Sequence, residues 1–208
     1  MLTVVDHPLA KFHLTALRDQ TLPTDAFRGH LLRLTRVMAY PVFKGLELEP
    51  LTVTTPLLKE AVGSRIQRMP VLVPILRAGL GMVEGFLDLV PGAAVSHLGI
   101  YRDHATLEPV DYYSNFPKSR TDDPVFVLDP MLATGGSAVH ALHYLKRQGA
   151  HRLTLVCVIA APKGVEQVFL EHPEVPIFTA AVDDALSPKG YILPGLGDAG
   201  DRQFGTLT

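Results

Sequence analysis

The chain has 208 residues, 47% hydrophobic and 19% charged, which suits one compact α/β unit with an appendage rather than two full domains. Nineteen Lys+Arg against 21 Asp+Glu leave a formal charge of -2, so no strong basic field exists to gather nucleic acid or anionic lipid. The one cysteine, Cys157, excludes an intrachain disulfide and a Cys-based zinc cluster and fits a reducing cytoplasm.

At the N-terminus Asp6, His7 and Pro8 follow a very short apolar run, without the charged flank or apolar length of a signal peptide. No window approaches the ~20 apolar residues that cross a bilayer, and a soluble cytoplasmic protein is expected. Thr24, a plausible capping hydroxyl, precedes Phe27, Leu31, Leu34 and Met38 at helical spacing. The pattern predicts a helix from about Asp25 to Val42, ended or kinked by Pro41. From Pro70 onward short apolar runs alternate with helical patterns. Val71 to Leu76, Ala94 to Tyr101, Val125 to Leu128 and Leu153 to Ala160 read as strands buried on both faces, and Gly81 to Leu89, Gly136 to Gln148 and Val165 to Glu171 as helices. That rhythm predicts a twisted parallel sheet flanked by helices, with ligands at the carboxyl ends of the strands.

Two stretches break the rhythm. Thr106 to Pro117, with two prolines and the pair Tyr112-Tyr113, suggests a projecting arm or extended hairpin, a lid or a subunit contact. Pro188 to Thr208 contains five glycines yet is too apolar for a solvated linker, and is expected to fold as a cap.

Chemistry concentrates in VFVLDPMLATGGS, Val125 to Ser137. Four apolar residues deliver Asp129 to a strand end, and Thr134-Gly135-Gly136-Ser137 opens a helix. Glycine lets the backbone approach an anion, first-turn amides point outward, and the helix dipole favours negative charge there. Asp129 cannot attract phosphate, but it can accept from ribose hydroxyls or help hold a divalent cation. A sugar phosphate satisfies both halves, although spacing alone also fits an ordinary βα turn with a capping hydroxyl. A Walker lysine and a three-glycine dinucleotide fingerprint are missing. Cys157 sits in the apolar run LVCVIAA and reads as a structural thiol. His140 and His143 share a helix face but lack a third ligand nearby in sequence.

DPMLATGGS resembles the PRPP-binding signature of phosphoribosyltransferases in the form carried by the uracil phosphoribosyltransferase family. PILRAGLGM (Pro74 to Met82), IYRDHATLEPVDYY (Ile100 to Tyr113) and YILPGLGDAGDRQFGT (Tyr191 to Thr206) agree with it, and the likeness runs from His7 almost to the last residue. Many members of the wider superfamily carry two adjacent acids where this chain has Asp129-Pro130. The resemblance implies a type I phosphoribosyltransferase fold in one domain, residues 1–208, whose N-terminal helices and tail 188–208 form a hood over the base site. It implies that uracil and 5-phospho-α-D-ribose 1-diphosphate (PRPP) give UMP and diphosphate, with Mg²⁺ carried on the diphosphate rather than by a dedicated protein site. Arg77 and Arg102, each just after a buried strand, are suited to stabilise the departing diphosphate; with Asp129 they form the implied catalytic set. PRPP is implied to rest on these three, on Pro130, Met131, Leu132, Ala133, Thr134, Gly135, Gly136 and Ser137, and on Asp198. Uracil is implied to lie among Ile192, Gly197, Asp198 and Ala199, its acceptor–donor–acceptor edge met by backbone groups. Family members are dimers or larger, and several respond to GTP. An enzyme for another base, such as a purine, and a PRPP-sensing RNA-binding regulator are the alternatives; the charge of -2 disfavours the latter.

Overall fold

The computed structural model describes residues 1–102 and 109–206, with 101, 102 and 109–111 described by backbone alone. Residues 106–108 of the expected arm therefore lie outside the described residues.

A short strand β1 (Leu2–Val4) leads into helix α1 (Pro8–Arg18), which starts where Pro8 presets φ and the His7 ring accepts from the Leu9 amide. Helix α2 (Thr24–Val42) buries Phe27, Leu31, Leu34 and Met38, as their spacing requires. Its cap is not the Thr24 hydroxyl. Pro23 holds the extended capping position, and Thr24 is already the first helical residue. Pro41 falls in the last turn, after which the chain tightens into a 3₁₀ turn, Phe43–Gly45.

Next comes a hairpin that composition did not reveal, β2 (Leu48–Thr54) paired antiparallel with β3 (Glu60–Ile66). Nearly every residue of both strands is exposed, so neither face is buried against the rest of the chain. The central sheet follows: β4 (Val71–Leu76), helix α3 (Leu80–Leu87), β5 (Ala94–Val95) and β6 (Leu98–Arg102). The run expected as one strand from Ala94 is thus interrupted. β5 and β6 pair with successive parts of β4, and the Ser96 amide donates to Leu72 O between them. β7 (Pro109–Ser114), the described part of the expected arm, pairs antiparallel with β6 along the sheet edge.

β8 (Val125–Leu128) and the two-residue β9 (Met131–Leu132) precede helix α4 (Gly136–Arg147). β10 (Leu153–Ala160), helix α5 (Pro162–Glu171) and β11 (Ile177–Val182) continue the alternation. The tail holds more regular structure than its glycines suggested: β12 (Ala185–Leu186) pairs with β13 (Ile192–Leu193), and helix α6 (Ala199–Phe204) closes it.

The sheet order is β1-β11-β10-β8-β4-β6-β7, parallel throughout except for β7. Side-chain alternation splits the core in two. Leu72, Phe126, Leu128 and Val156 face α1, α2 and α3, whereas Val71, Val73, Val127 and Leu155 face α4 and α5. Continuous apolar strands are what a sheet covered on both sides demands. Cys157 belongs to the second core, fully buried, and burial pushes its thiol up to about 12. It is expected to resist alkylation by a small thiol reagent in the folded protein, with a labelling rate under denaturant that tracks unfolding.

Candidate functional site

β4 is followed by α3 on one face of the sheet, and its neighbour β8 by α4 on the other. The chain thus departs in opposite directions from two adjacent parallel strands. This leaves a crevice at their carboxyl ends, where open α/β sheets bind ligands. Arg77 and Ala78 follow β4 into that crevice, Asp129 follows β8, and the tail closes over it from β13 to α6. Together they line a cavity of about 340 Å³, walled by Ile75, Ile100, Ile159 and Leu196.

At one end the cavity runs into a depression lined by Asp129 and Met131 to Ala138. The geometry there is that of an anion cradle. Gly135 has φ +88°, and an added Cβ would stand 2.9 Å from Gln167 Cβ, so the turn needs glycine and α5 packs hard behind it. Among the described residues no side chain caps α4, and its first turn holds no acid, an arrangement that suits an anion. Pro130 lines neither cavity. Its carbonyl accepts from both the Val158 and Ile159 amides at 3.0 Å, and with no N–H of its own it leaves no donor stranded beneath the site.

Asp129 is partly reachable by solvent through the cavity but packed about by protein atoms. Burial pushes its carboxyl up to about 7; donation from the Met131 amide opposes this and the charge of Asp198 adds to it. Two carboxylates therefore face one small volume, the donor type that ribose hydroxyls and hard divalent cations take. Arg77 reaches across to the tail, its Nη2 3.2 Å from Asp201 Oδ1. Asp201 in turn donates its amide to Asp198 Oδ1 at 2.9 Å, which starts α6.

Of the residues singled out from sequence, Arg77, Asp129, Met131, Ala133, Ser137, Ile192, Gly197 and Asp198 line the main cavity. Leu132, Thr134, Gly135 and Gly136 line the depression. Ala199, the first residue of α6, is fully buried and lines neither. The backbone of Arg102 ends β6 at the same edge of the sheet, opposite Pro109; its side chain lies outside the described atoms. His143 packs against His172, ring centroids 4.4 Å apart. The apolar walls and Asp201 were not picked out from sequence. Ile75, Ile100 and Ile159 read there only as strand positions, and nothing local distinguishes a strand-end isoleucine over a cavity from one in the core.

Residues 4–206 match the sequence family described as uracil phosphoribosyltransferase. Curated uracil phosphoribosyltransferases from Ureaplasma urealyticum, 46% identical, and from Thermoanaerobacter sp., 48% identical, align over 98% of this chain and 98% and 97% of their own. The AQ2163 protein from Aquifex aeolicus superposes with a TM-score of 0.92 at 39% identity, covering 98% of both chains. A hypoxanthine phosphoribosyltransferase from Staphylococcus aureus, only 9% identical, shares the fold at a TM-score of 0.53 over 76% of each chain.

A carboxyl raised in the folded state contributes stability fully below the unfolded pKa and loses it as pH rises to the folded one, here between about 4 and about 7. Asp129→Asn removes that loss. The ligand-free variant is expected to be ~1–3 kcal/mol more stable than the parent at pH 8 and indistinguishable from it at pH 4, read by urea unfolding.

Proposed function

Since this chain belongs to the uracil phosphoribosyltransferase family, we propose how its residues carry out the transfer of the phosphoribosyl group from PRPP to uracil, giving UMP and diphosphate. The observation that carries the reading is the meeting of Arg77, Asp129, the open start of α4 and the tail segment Ile192 to Asp198 on one cavity.

The 5′-phosphate sits in the depression, on the amides that open α4 and the hydroxyls of Thr134 and Ser137. Asp129 accepts from the ribose hydroxyls. Diphosphate lies toward Arg77, which exchanges the Asp201 carboxylate for the incoming phosphates, and toward Arg102. As the bond from the anomeric carbon to diphosphate lengthens, the ribose gains oxocarbenium character and uracil N1 attacks from the opposite face, its proton released to solvent as the new bond forms. Fixed cations aimed at the leaving group lower the barrier because its charge grows in the transition state. No side-chain nucleophile is needed. Ile192 packs on the base, while the backbone of Gly197 to Ala199 reads its rim and Asp198 faces PRPP.

Phosphoribosyltransferases generally use Mg²⁺ with PRPP. Asp129 and Asp198, the two carboxylates at the cavity, would be the residues to face such a cation, which would offset diphosphate charge when bound with PRPP. We assign the protein to the cytoplasm, in keeping with its one buried thiol. No helix of the described residues is long and apolar enough to cross a membrane. GTP as an effector rests on family likeness alone. The chain is read as one domain, with α1, α2 and the tail from 188 as the hood.

The hairpin supports a homodimer or larger assembly. Its adjacent turn residues Leu57 and Leu58 are 83% and 85% exposed, and exposed apolar side chains side by side suit a contact surface.

Folded protein with PRPP, Mg²⁺ and uracil is expected to form UMP; no product above a protein-free control would overturn the reading. Arg77→Ala should lower kcat by ~10²–10³-fold, the usual effect of one lost charge-stabilising donor, in steady-state assays. Replacing Leu57 and Leu58 together by Asp should yield a smaller species in sedimentation velocity.

A further inference from the structure

Helix α1 ends in Leu17-Arg18-Asp19, far in sequence from the tail, yet all three residues hold it. Arg18 makes a two-pronged pair with Asp183, at 2.7 Å from Nη1 to Oδ2 and 2.5 Å from Nη2 to Oδ1. The same Nη1 donates to Gly195 O at 2.8 Å, and the Gly195 amide donates to Asp183 Oδ2 at 2.9 Å. One ion pair thus occupies both backbone polar groups of Gly195. Asp183 is itself anchored, because it follows β11 directly and its amide donates to Ala160 O, the end of β10, at 2.8 Å.

The next peptide is held from the other side. Arg202, buried in α6, donates to Leu196 O at 2.8 Å and to the carbonyls of Leu17 and Asp19. Its guanidinium lies 4.5 Å from the centre of the Phe27 ring. Gly195, with φ +67°, cannot carry a side chain, since a Cβ would meet Ile192 O at 2.0 Å. The segment that leads into Gly197 and Asp198 is therefore tied at two successive peptides, and these ties run to α1 and the ends of the strands.

We infer that the Arg18–Asp183 pair is a positioning device for base selection, holding the Gly195–Asp198 backbone in the register that matches uracil. The inference rests on the proposed reading of that loop as the base-recognition segment. Buried ion pairs contribute little net stability but define one geometry among alternatives. Asp183 stays ionised: burial pushes its carboxyl up, and donation from Arg18 and the Gly195 amide outweighs that and holds it below the ordinary value. None of the pair's hydrogen bonds reaches Met131 to Ser137. Its loss should consequently be felt more by the base than by the phosphates, which the segment meets only through Asp198 at its far end. Displacing a recognition group by about 1 Å costs on the order of 10²-fold, and polar mismatch can discriminate by ~10⁴ only where donors and acceptors are held in place.

The test is a kinetic split in the full-length protein carrying Asp183→Asn or Arg18→Lys, each checked for folding by circular dichroism and thermal unfolding. The expected result is a rise of ~10-fold or more in KM for uracil that exceeds any rise in KM for PRPP by ~5-fold or more, and a fall of ~10-fold or more in the preference for uracil over cytosine. Parallel changes in both KM values, or a lowered Tm with unchanged kinetics, would overturn the inference. Should Asp183→Asn not fold, Arg18→Lys, which keeps the charge but not the two-pronged geometry, decides by the same split. Gly197→Ala separates the two layers. If it disturbs uracil kinetics while both pair variants leave them unchanged, the positioning role fails alone; if it too leaves them unchanged, the reading of the loop fails, and the inference with it.

Discussion

β4 and β8, two neighbouring parallel strands, send the chain toward opposite faces of the sheet, so neither strand's own connection to its following helix passes over the other's carboxyl end. The crevice that results is where a cation from one strand, Arg77, and a carboxylate from the other, Asp129, can face the same volume. It also places the start of α4 beside them, with no side-chain cap among the described residues. A ligand carrying a phosphate, vicinal hydroxyls and a second anionic group matches that arrangement, which follows from the connection rule for open α/β sheets.

Several features of the site sacrifice stability for chemistry. A carboxyl pushed up to about 7 by burial, with a second carboxylate adding to the shift, disfavours its own ionised state until a ligand supplies hydrogen bonds. Helix α4 begins without a side-chain cap behind a left-handed Gly135, where an ordinary helix would gain about 1 kcal/mol from a capping residue. Arg77, exposed, rests against Asp201, a surface contact that contributes little to stability. The strands behind supply what these groups forgo, with cores on both faces of the sheet.

The tail side of the cavity is built differently. The depression at its other end belongs to one contiguous stretch, from the end of β8 to the first turn of α4. The tail instead is shaped by partners 177 to 185 residues away, Arg18 on Gly195 and the Leu17 and Asp19 carbonyls on Arg202. A loop rich in glycine has little structure of its own, and it becomes a rigid wall because buried charges occupy its carbonyls and amides. That difference explains why the loop could be recognised as a cap yet not as one short hairpin and a helix.

Local order was legible wherever periodicity and turn chemistry were both local. The apolar runs ending at Leu76, Leu128 and Ala160, the apolar stripe of α2, and the Asp129 to Ser137 cradle were read in place, because a strand buried on both faces and a glycine turn before a helix leave direct marks in composition. The Thr24 cap was misread, since Pro23 imposes its backbone geometry more strongly than a hydroxyl can. The β2–β3 hairpin escaped because strands exposed on both faces carry no buried alternation. From the amino-acid order alone came the alternation of strand and helix, the phosphate cradle and, through its motifs, the family. Folding decided which strand ends stand side by side, that Asp129 shares its cavity with Asp198, and that Arg18 clamps Gly195; these are contacts between residues distant in the chain, and no local pattern encodes a distance that only packing sets.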